Sequence, residues 1–322
     1  MNQLPFNSLI AEDMQGVDAV IRARLYSDVP LVSQVAEHII AGGGKRLRPA
    51  LLLLSSGAVA YRESQHHLLA AVVEFIHTAT LLHDDVVDES ALRRGRETAN
   101  AHFGNAASVL VGDFLYSRAF QMMVGVGSMR VMQVLADATN VIAEGEVLQL
   151  MNCHNADVDV EDYLRVVRYK TAKLFEASAR LGAILGSASN DVEEGLASYG
   201  MHLGTAFQIV DDVLDYSGDE GKIGKHLGDD LAEGKPTLPL IHVMKEGDVT
   251  QSSLVRTALE EGGREKFEAI MLAVKSTGAL QAAMKVAVDE VARAKQALSV
   301  LPNTQYRDAL IELSNFAVAR DY

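Results

Sequence analysis

Two short acidic clusters carry the clearest chemical potential in this chain. Asp84-Asp85-Val86-Val87-Asp88 and Asp211-Asp212-Val213-Leu214-Asp215 each set a pair of aspartates four residues apart. On a helix that spacing puts Asp84 and Asp88 on one face, about 6 Å apart, and Asp211 and Asp215 likewise. Carboxylates so placed repel one another, and more so near a helix C-terminus, where the backbone already presents carbonyl oxygens. A hard cation offsets both penalties. Mg2+ takes oxygen ligands, accepts few protein carboxylates, and completes its shell with water and phosphate oxygens. A solvated acidic face explains one such cluster as well as a metal does. It explains two matching clusters poorly.

Basic residues stand beside both clusters. Gly42-Gly43-Gly44-Lys45-Arg46-Leu47-Arg48-Pro49 is a glycine loop leading into a helix, able to present backbone N–H groups together with Lys45 and Arg48 to an anion. Arg93-Arg94-Gly95-Arg96 follows the first acidic cluster, and Lys225 and Lys235 flank Gly228-Asp229-Asp230 behind the second. Lys170-Thr171 falls within a helical stretch. The six cluster aspartates meet seven cations, Lys45, Arg48, Arg93, Arg94, Lys170, Lys225 and Lys235, and two diphosphates added to that set would leave it strongly negative unless several Mg2+ ions joined them. His77 precedes Asp84 by two helical turns, at nearly the same azimuth and about 10 Å along the axis. A lone histidine on an apolar helix is more often a core residue than a ligand; here it points along the carboxylate face, where it can hold a polar group of a substrate. Gln208 stands one turn ahead of Asp211 and Asp212 in the same way.

The elements that must position these residues are helices. Val32, Val35, His38 and Ile39 recur at helical spacing before the glycine loop, and the pattern predicts further helices over about 49–61, 66–89, 106–123 and 129–151. Asp159-Val160-Glu161-Asp162 reads as a capped start of a helix running through Lys170 to Leu185, and others follow over about 191–216, 238–244, 263–276 and 280–298. No convincing alternating strand pair and no Ser/Pro-rich linker interrupts them. With only six prolines in 322 residues, long uninterrupted helices are favoured. The expectation is an all-α chain, one domain over 1–322. Thr78-Ala79 and Thr205-Ala206 stand at the same offset before their acidic clusters, a faint internal echo.

Composition removes several functions. The 29 basic and 43 acidic side chains leave a net charge of −14, the wrong sign for a phosphate-backbone binder, so no nucleic acid is expected. One cysteine, Cys153, cannot form an internal disulfide and suits a reducing cytoplasm. The N-terminus lacks the basic and apolar regions of a signal peptide, and no apolar run is long enough to span a membrane.

Taken together and in order, Gly43-Gly44-Lys45-Arg46-Leu47-Arg48-Pro49, Asp84-Asp85-Val86-Val87-Asp88 with Arg93-Arg94-Gly95, Asp211-Asp212-Val213-Leu214-Asp215, and Gly228-Asp229-Asp230-Leu231-Ala232-Glu233-Gly234-Lys235-Pro236-Thr237 resemble the motifs of the trans-isoprenyl (polyprenyl) diphosphate synthases, with no departure among the metal and diphosphate residues. The resemblance implies the isoprenoid synthase fold, a single large bundle of mostly antiparallel helices around a central cavity, as a homodimer. It implies a prenyltransferase that condenses isopentenyl diphosphate head-to-tail onto an allylic diphosphate such as farnesyl diphosphate. The metal residues would be Asp84, Asp88 and Asp211, with about three Mg2+ ions in each site. The catalytic set would be Asp84, Asp88, Lys170 and Asp211. The allylic diphosphate would be bound by Arg93, Lys170, Thr171, Gln208, Lys225 and Lys235, and isopentenyl diphosphate by Lys45, Arg48, His77 and Arg94.

Short-chain members of the family carry bulky aromatics at the positions held here by Ala79 and Thr80, so a long product of about eight isoprene units is expected, the side chain of a respiratory quinone such as ubiquinone. Phe120, Met122 and Met123 on the neighbouring helix are candidate floor residues, against the alternative of ordinary core packing. Shorter or longer polyprenyl products remain alternatives. Three rivals are weaker. A class I terpene cyclase replaces the second acidic motif. A di-iron bundle, suggested by Glu63-x-x-His66 and Glu74-x-x-His77, needs the pairs on facing helices, and these lie on or near one helix. A regulatory subunit of a heteromeric prenyltransferase would be favoured by the loss of one motif, and both are intact.

Overall fold

The computed structural model describes residues 6–217 and 227–320, so Lys225 lies outside the described residues. Helices dominate: α1 (Ala11–Leu25), α2 (Pro30–Ala41), α3 (Leu47–Ala58), α4 (Gln65–Val87), α5 (Ala99–Phe103), α6 (Asn105–Val126), α7 (Met129–Asn152), α8 (Val160–Val167), α9 (Lys173–Leu185), α10 (Asn190–Ser217), α11 (Asp229–Ala232), α12 (Leu238–Glu246), α13 (Val249–Glu261), α14 (Phe267–Ser276), α15 (Ala279–Ala297) and α16 (Gln305–Val318). Among the described residues no helix is long and apolar enough to cross a membrane. The chain divides into two compact units, one comprising residues 1–139, 174–200 and 297–313, the other residues 140–173, 201–296 and 314–322.

In the first unit α3 is buried on almost every side, from Leu47 and Pro49 through Ala58, as expected of a helix apolar all round. Its Ser56 hydroxyl donates to the Leu52 carbonyl at 2.9 Å, and a Cβ on Gly182 of α9 would lie 2.7 Å from the Ser56 nitrogen, so that glycine lets α9 approach closely. Along α4 the pattern splits. Leu69–Val73, Phe75, Ile76, Ala79 and Leu82 are buried, whereas Glu74, His77, Thr80, Asp84 and Asp88 are only half-buried and recur at three- and four-residue steps along one face. α6 lies alongside, its Ser108 hydroxyl donating to the Leu82 carbonyl at 2.9 Å.

Between α4 and α5 a two-residue antiparallel pairing joins β1 (Leu92–Arg93) to β2 (Arg96–Glu97). Arg94 and Gly95 turn it with φ of 55° and 72°, the positive values that a tight hairpin demands. The sequence showed no strand pair because two residues cannot display an alternation.

The second unit is built on two apolar clusters. One gathers Tyr163, Val167, Val210, Val213 and Leu238 against Ala283, Ala287 and Val291; the other gathers Tyr216, Leu231, Val243, Leu259, Ile270 and Val274. Asp159 caps α8 as expected, accepting from the N–H groups of Glu161 and Asp162 at 2.8 and 2.9 Å. The helix beyond it is not continuous. Arg168–Ala172 widens into a π turn before α9, and a Cβ on Gly145 of α7 would lie 2.6 Å from the Lys170 nitrogen, so the glycine is what lets the two backbones meet there.

Candidate metal and diphosphate sites

Each compact unit holds one acidic motif. In the first, Asp84 belongs to the last turn of α4 and Asp88 caps it: the Asp88 N–H donates to the Asp84 carbonyl at 2.8 Å, so the four-residue spacing survives at the helix end. Asp85 turns the other way. It is 1 % exposed, and the fork of Arg93 closes on one of its oxygens at 2.9 and 2.7 Å. Burial pushes the Asp85 carboxyl up, and the Arg93 charge opposes that shift. Burial alone would likewise weaken Arg93 as a cation, but Asp85, Asp84 and Asp88 outweigh it and hold the guanidinium firmly protonated. The turn that follows is pinned by Asn100, whose amide donates to the Asp85 and Ser90 carbonyls at 3.0 and 3.2 Å.

The glycine loop and the hairpin meet on the same face of α4. Arg48 donates to His77 Nε2 at 3.1 Å and stacks over the Phe175 ring at 4.5 Å. Burial, and then the charges of Arg48, Arg93 and Arg94, push the His77 imidazole well below its usual range, so it is neutral and accepts from Arg48. A Cβ on Gly44 would lie 2.7 Å from Arg94 Nη1, so this glycine admits the guanidinium. Arg46, at φ 46°, starts α3 and pairs with Asp18 of α1. Lys45 is exposed on the loop. Glu74 was missed as part of this group. Burial pushes its carboxyl up, and the nearby charges of Arg46, Arg48 and Arg94 oppose that rise without cancelling it. Its spacing before His77, one turn back on the same face, was the available signal.

In the second unit the π turn presents Lys170 and Thr171. Lys170 pairs with Glu146 of α7 at 2.5 Å. Thr171 donates to Gln208 Oε1 at 2.8 Å, Gln208 donates on to Asp212 Oδ1 at 2.8 Å, and the Tyr163 hydroxyl takes Asp212 Oδ2 at 2.6 Å. Asp212 is buried with both oxygens engaged, and burial together with the Asp230 charge pushes it up to about 7. Asp215 is 2 % exposed and accepts the Asp230 N–H at 3.3 Å, anchoring the Gly228–Asp230 segment. The second motif is therefore no copy of the first. Asp88 sits at a helix end, whereas Asp215 lies within α10 under a segment that folds back over it. The count of six site aspartates falls to three that reach the surface, Asp84, Asp88 and Asp211.

Asp211 has a partner that the sequence did not suggest. Arg320, 109 residues further on and 1 % exposed in its side chain, donates to Asp211 Oδ1 at 2.6 Å. A single arginine near the end of the chain carries no motif. Lys235 pairs with Glu233, and the Gly234 carbonyl takes the His154 N–H at 2.8 Å. The half-exposed Asp84 and Asp88 of the first unit offer carboxylate oxygens of the kind a hard cation such as Mg2+ takes, and in the second unit so does Asp211.

The di-iron alternative fails on contacts. His66 and His67 both reach Asp13 Oδ1 at 3.0 Å, whereas His77 bonds Arg48, so the two Glu-x-x-His pairs serve different neighbours. Of the chain-length residues, Ala79, Met122 and Met123 are buried, and Thr80 and Phe120 are half-buried.

A sequence model described as "Polyprenyl synthetase" matches residues 29–275. Over 322 residues, all of both chains, the protein is 53 % identical to the octaprenyl diphosphate synthase of Escherichia coli strain K12. Its fold is similar to a polyprenyl synthase from Caulobacter crescentus CB15, crystallised with calcium and isoprenyl diphosphate, at a TM-score of 0.95 and 44 % identity, covering 98 % of this chain and 97 % of that one. A decaprenyl diphosphate synthase from Rhodobacter capsulatus gives a TM-score of 0.93 and 46 % identity, covering 98 % of each.

Proposed function

The chain belongs to the polyprenyl synthetase family and is a prenyltransferase, and from that premise we propose that it builds a long all-trans polyprenyl diphosphate, octaprenyl diphosphate, from isopentenyl diphosphate and an allylic primer such as farnesyl diphosphate. The observation that carries the two-substrate reading is the separation of roles on one face of α4. Asp84 and Asp88 stand with Arg93 at its C-terminal end, and neutral His77 stands with Arg48 and Arg94 two turns earlier. One set suits a metal-borne diphosphate, the other a diphosphate held by cations alone.

Asp84, Asp88 and Asp211 would hold Mg2+, which supplies positive charge against the allylic diphosphate. Arg93, Lys170, Lys225 and Lys235 take that diphosphate's oxygens as cations, with Thr171 and Gln208 as hydrogen-bonding neighbours. Lys45, Arg48, His77 and Arg94 bind the isopentenyl diphosphate, His77 also accepting from Arg48. As the allylic C–O bond breaks, its electron pair leaves with the diphosphate, whose growing charge these donors stabilise. The double bond of isopentenyl diphosphate attacks the allylic carbon, and loss of a proton forms the new trans alkene, with the released diphosphate as the base. Exclusion of water protects the cation from capture.

The whole chain acts in this reading as one catalytic domain in a homodimer, in the cytoplasm, supplying the side chain of a respiratory quinone such as ubiquinone. The similarity to the R. capsulatus decaprenyl enzyme supports a longer product as the second reading. Incubating the protein with Mg2+, isopentenyl diphosphate and farnesyl diphosphate, then separating the dephosphorylated alcohols by reverse-phase chromatography, tests both. A dominant octaprenol is expected, and absence of any elongation would sink the function.

A further inference from the structure

The turn that follows α16 folds back onto the second acidic motif. Beyond α16 the Arg320 side chain donates through Nε to the Ala317 carbonyl at 3.1 Å, through Nη2 to the Phe207 carbonyl at 2.8 Å, and through Nη1 to Asp211 Oδ1 at 2.6 Å. The guanidinium also lies over the Phe207 ring, 3.8 Å from its centroid. A buried cation is expensive unless its donors are satisfied, and here three acceptors and an aromatic face fix its plane. The Asp211 side chain remains 41 % exposed while one of its oxygens is held from behind. An aspartate on an exposed helix face otherwise samples several rotamers.

We propose that Arg320 is a positioning residue that fixes the Asp211 carboxylate by one oxygen and presents the other to the divalent metal, making metal affinity depend on the C-terminal end of the chain. This rests on the reading of Asp211 as a metal residue. Hydrogen bonds to ligating carboxylates set their orientation, and losing such a partner weakens metal binding by roughly 10-fold or more. Lysine offers a point charge and cannot reach three acceptors in one plane, so Arg320→Lys restores only part of the loss.

The test is Mn2+ binding to the substrate-free full-length enzyme, read by the electron paramagnetic resonance of free Mn2+. Wild type is compared with Asp211→Asn, Arg320→Gln, Arg320→Lys and the double variant Asp211→Asn/Arg320→Gln. Asp211→Asn and Arg320→Gln should each raise the Kd about 10-fold, and the double variant should bind no worse than Asp211→Asn, because both changes remove the same ligand. Additive losses in the double variant would assign Arg320 a purely structural role. Unchanged binding in Arg320→Gln, with Asp211→Asn weakened, overturns the positioning role alone. Unchanged binding in Asp211→Asn overturns the reading of Asp211 beneath it. Should Arg320→Gln lose helicity by circular dichroism, Arg320→Lys carries the comparison, and wild-type affinity there overturns the proposal.

Discussion

Neighbouring aspartates in one motif meet different fates, and the fate decides what each substitution should do. Asp85 spends its charge on the Arg93 fork, Asp212 on Tyr163 and Gln208, and Asp215 on the Asp230 N–H. Asp84, Asp88 and Asp211 keep a surface toward solvent. Asp84→Ala or Asp211→Ala should therefore lower turnover by at least ~100-fold, the scale of losing a main electrostatic stabiliser, while circular dichroism stays that of the wild type. Turnover should also vanish in excess chelator and return with Mg2+; full activity in chelator would end the metal reading. His77 is a different case, because its neighbours keep it neutral. A group whose pKa is depressed below its usual range stays uncharged as the pH rises from about 6 to 8. The KM for isopentenyl diphosphate should show no histidine inflection there. Arg48→Ala and His77→Ala should both raise that KM more than the KM for the allylic primer in steady-state titrations. Equal effects on the two substrates would mean that the subsites are assigned wrongly.

Elements with a wide apolar stripe were legible, and those with a narrow one were not. The helices holding both acidic motifs were read to within a few residues, because α4 and α10 carry apolar residues through many turns. α1 was missed, since only Val17, Ile21 and Leu25 face inward along it. α13 was missed for the same reason, although Asp248 and Gln251 form a reciprocal cap that was visible in the sequence. The π turn was beyond reading: its residues continue a helical pattern, and the Gly145 that admits the Lys170 backbone lies on another helix. Within the candidate site, residues tied to a motif were found, whereas Glu74, Tyr163 and Arg320 act through contacts made across the fold. The face of α4 also sharpens the expectation for product length. Thr80 lies on the half-buried face with His77 and Asp84, about 6 Å before Asp84, while Ala79 is packed on the buried side. A tyrosine at either position should obstruct a growing tail that follows this helix, cutting the product to roughly C15–C20, and Ala79→Tyr should add a stability loss of about 1–3 kcal/mol from overpacking. Chromatography of the prenyl alcohols and thermal melts read the two effects separately. An unchanged spectrum from active Thr80→Tyr and Ala79→Tyr enzymes would place the tail elsewhere.

A chain of net charge −14 repels its own copies at long range, and a surface of low charge meets the least of that repulsion. On α7, Val147, Leu150 and Met151 are 58, 62 and 71 % exposed and fall at helical spacing along one stripe. Isolated exposed apolar residues are ordinary on a monomer, but three neighbours on one helical stripe are the start of a patch. Burying them against a second copy removes apolar area from water at about 25 cal/mol per Å2, and the gain doubles in a symmetric pair because each protomer contributes the same stripe. Size-exclusion chromatography with light scattering should thus give about twice the 34.7 kDa of one chain. Leu150→Glu adds a carboxylate to the middle of the stripe and, in a two-fold pair, brings two new negative charges into one interface. That variant should elute as a monomer at micromolar concentration with its helicity intact. Because the attraction is apolar, raising the salt should strengthen the wild-type dimer by screening the repulsion between the acidic chains, whereas an interface held by ion pairs would weaken. A dimer that survives Leu150→Glu, or one that falls apart as salt rises, would move the interface off α7.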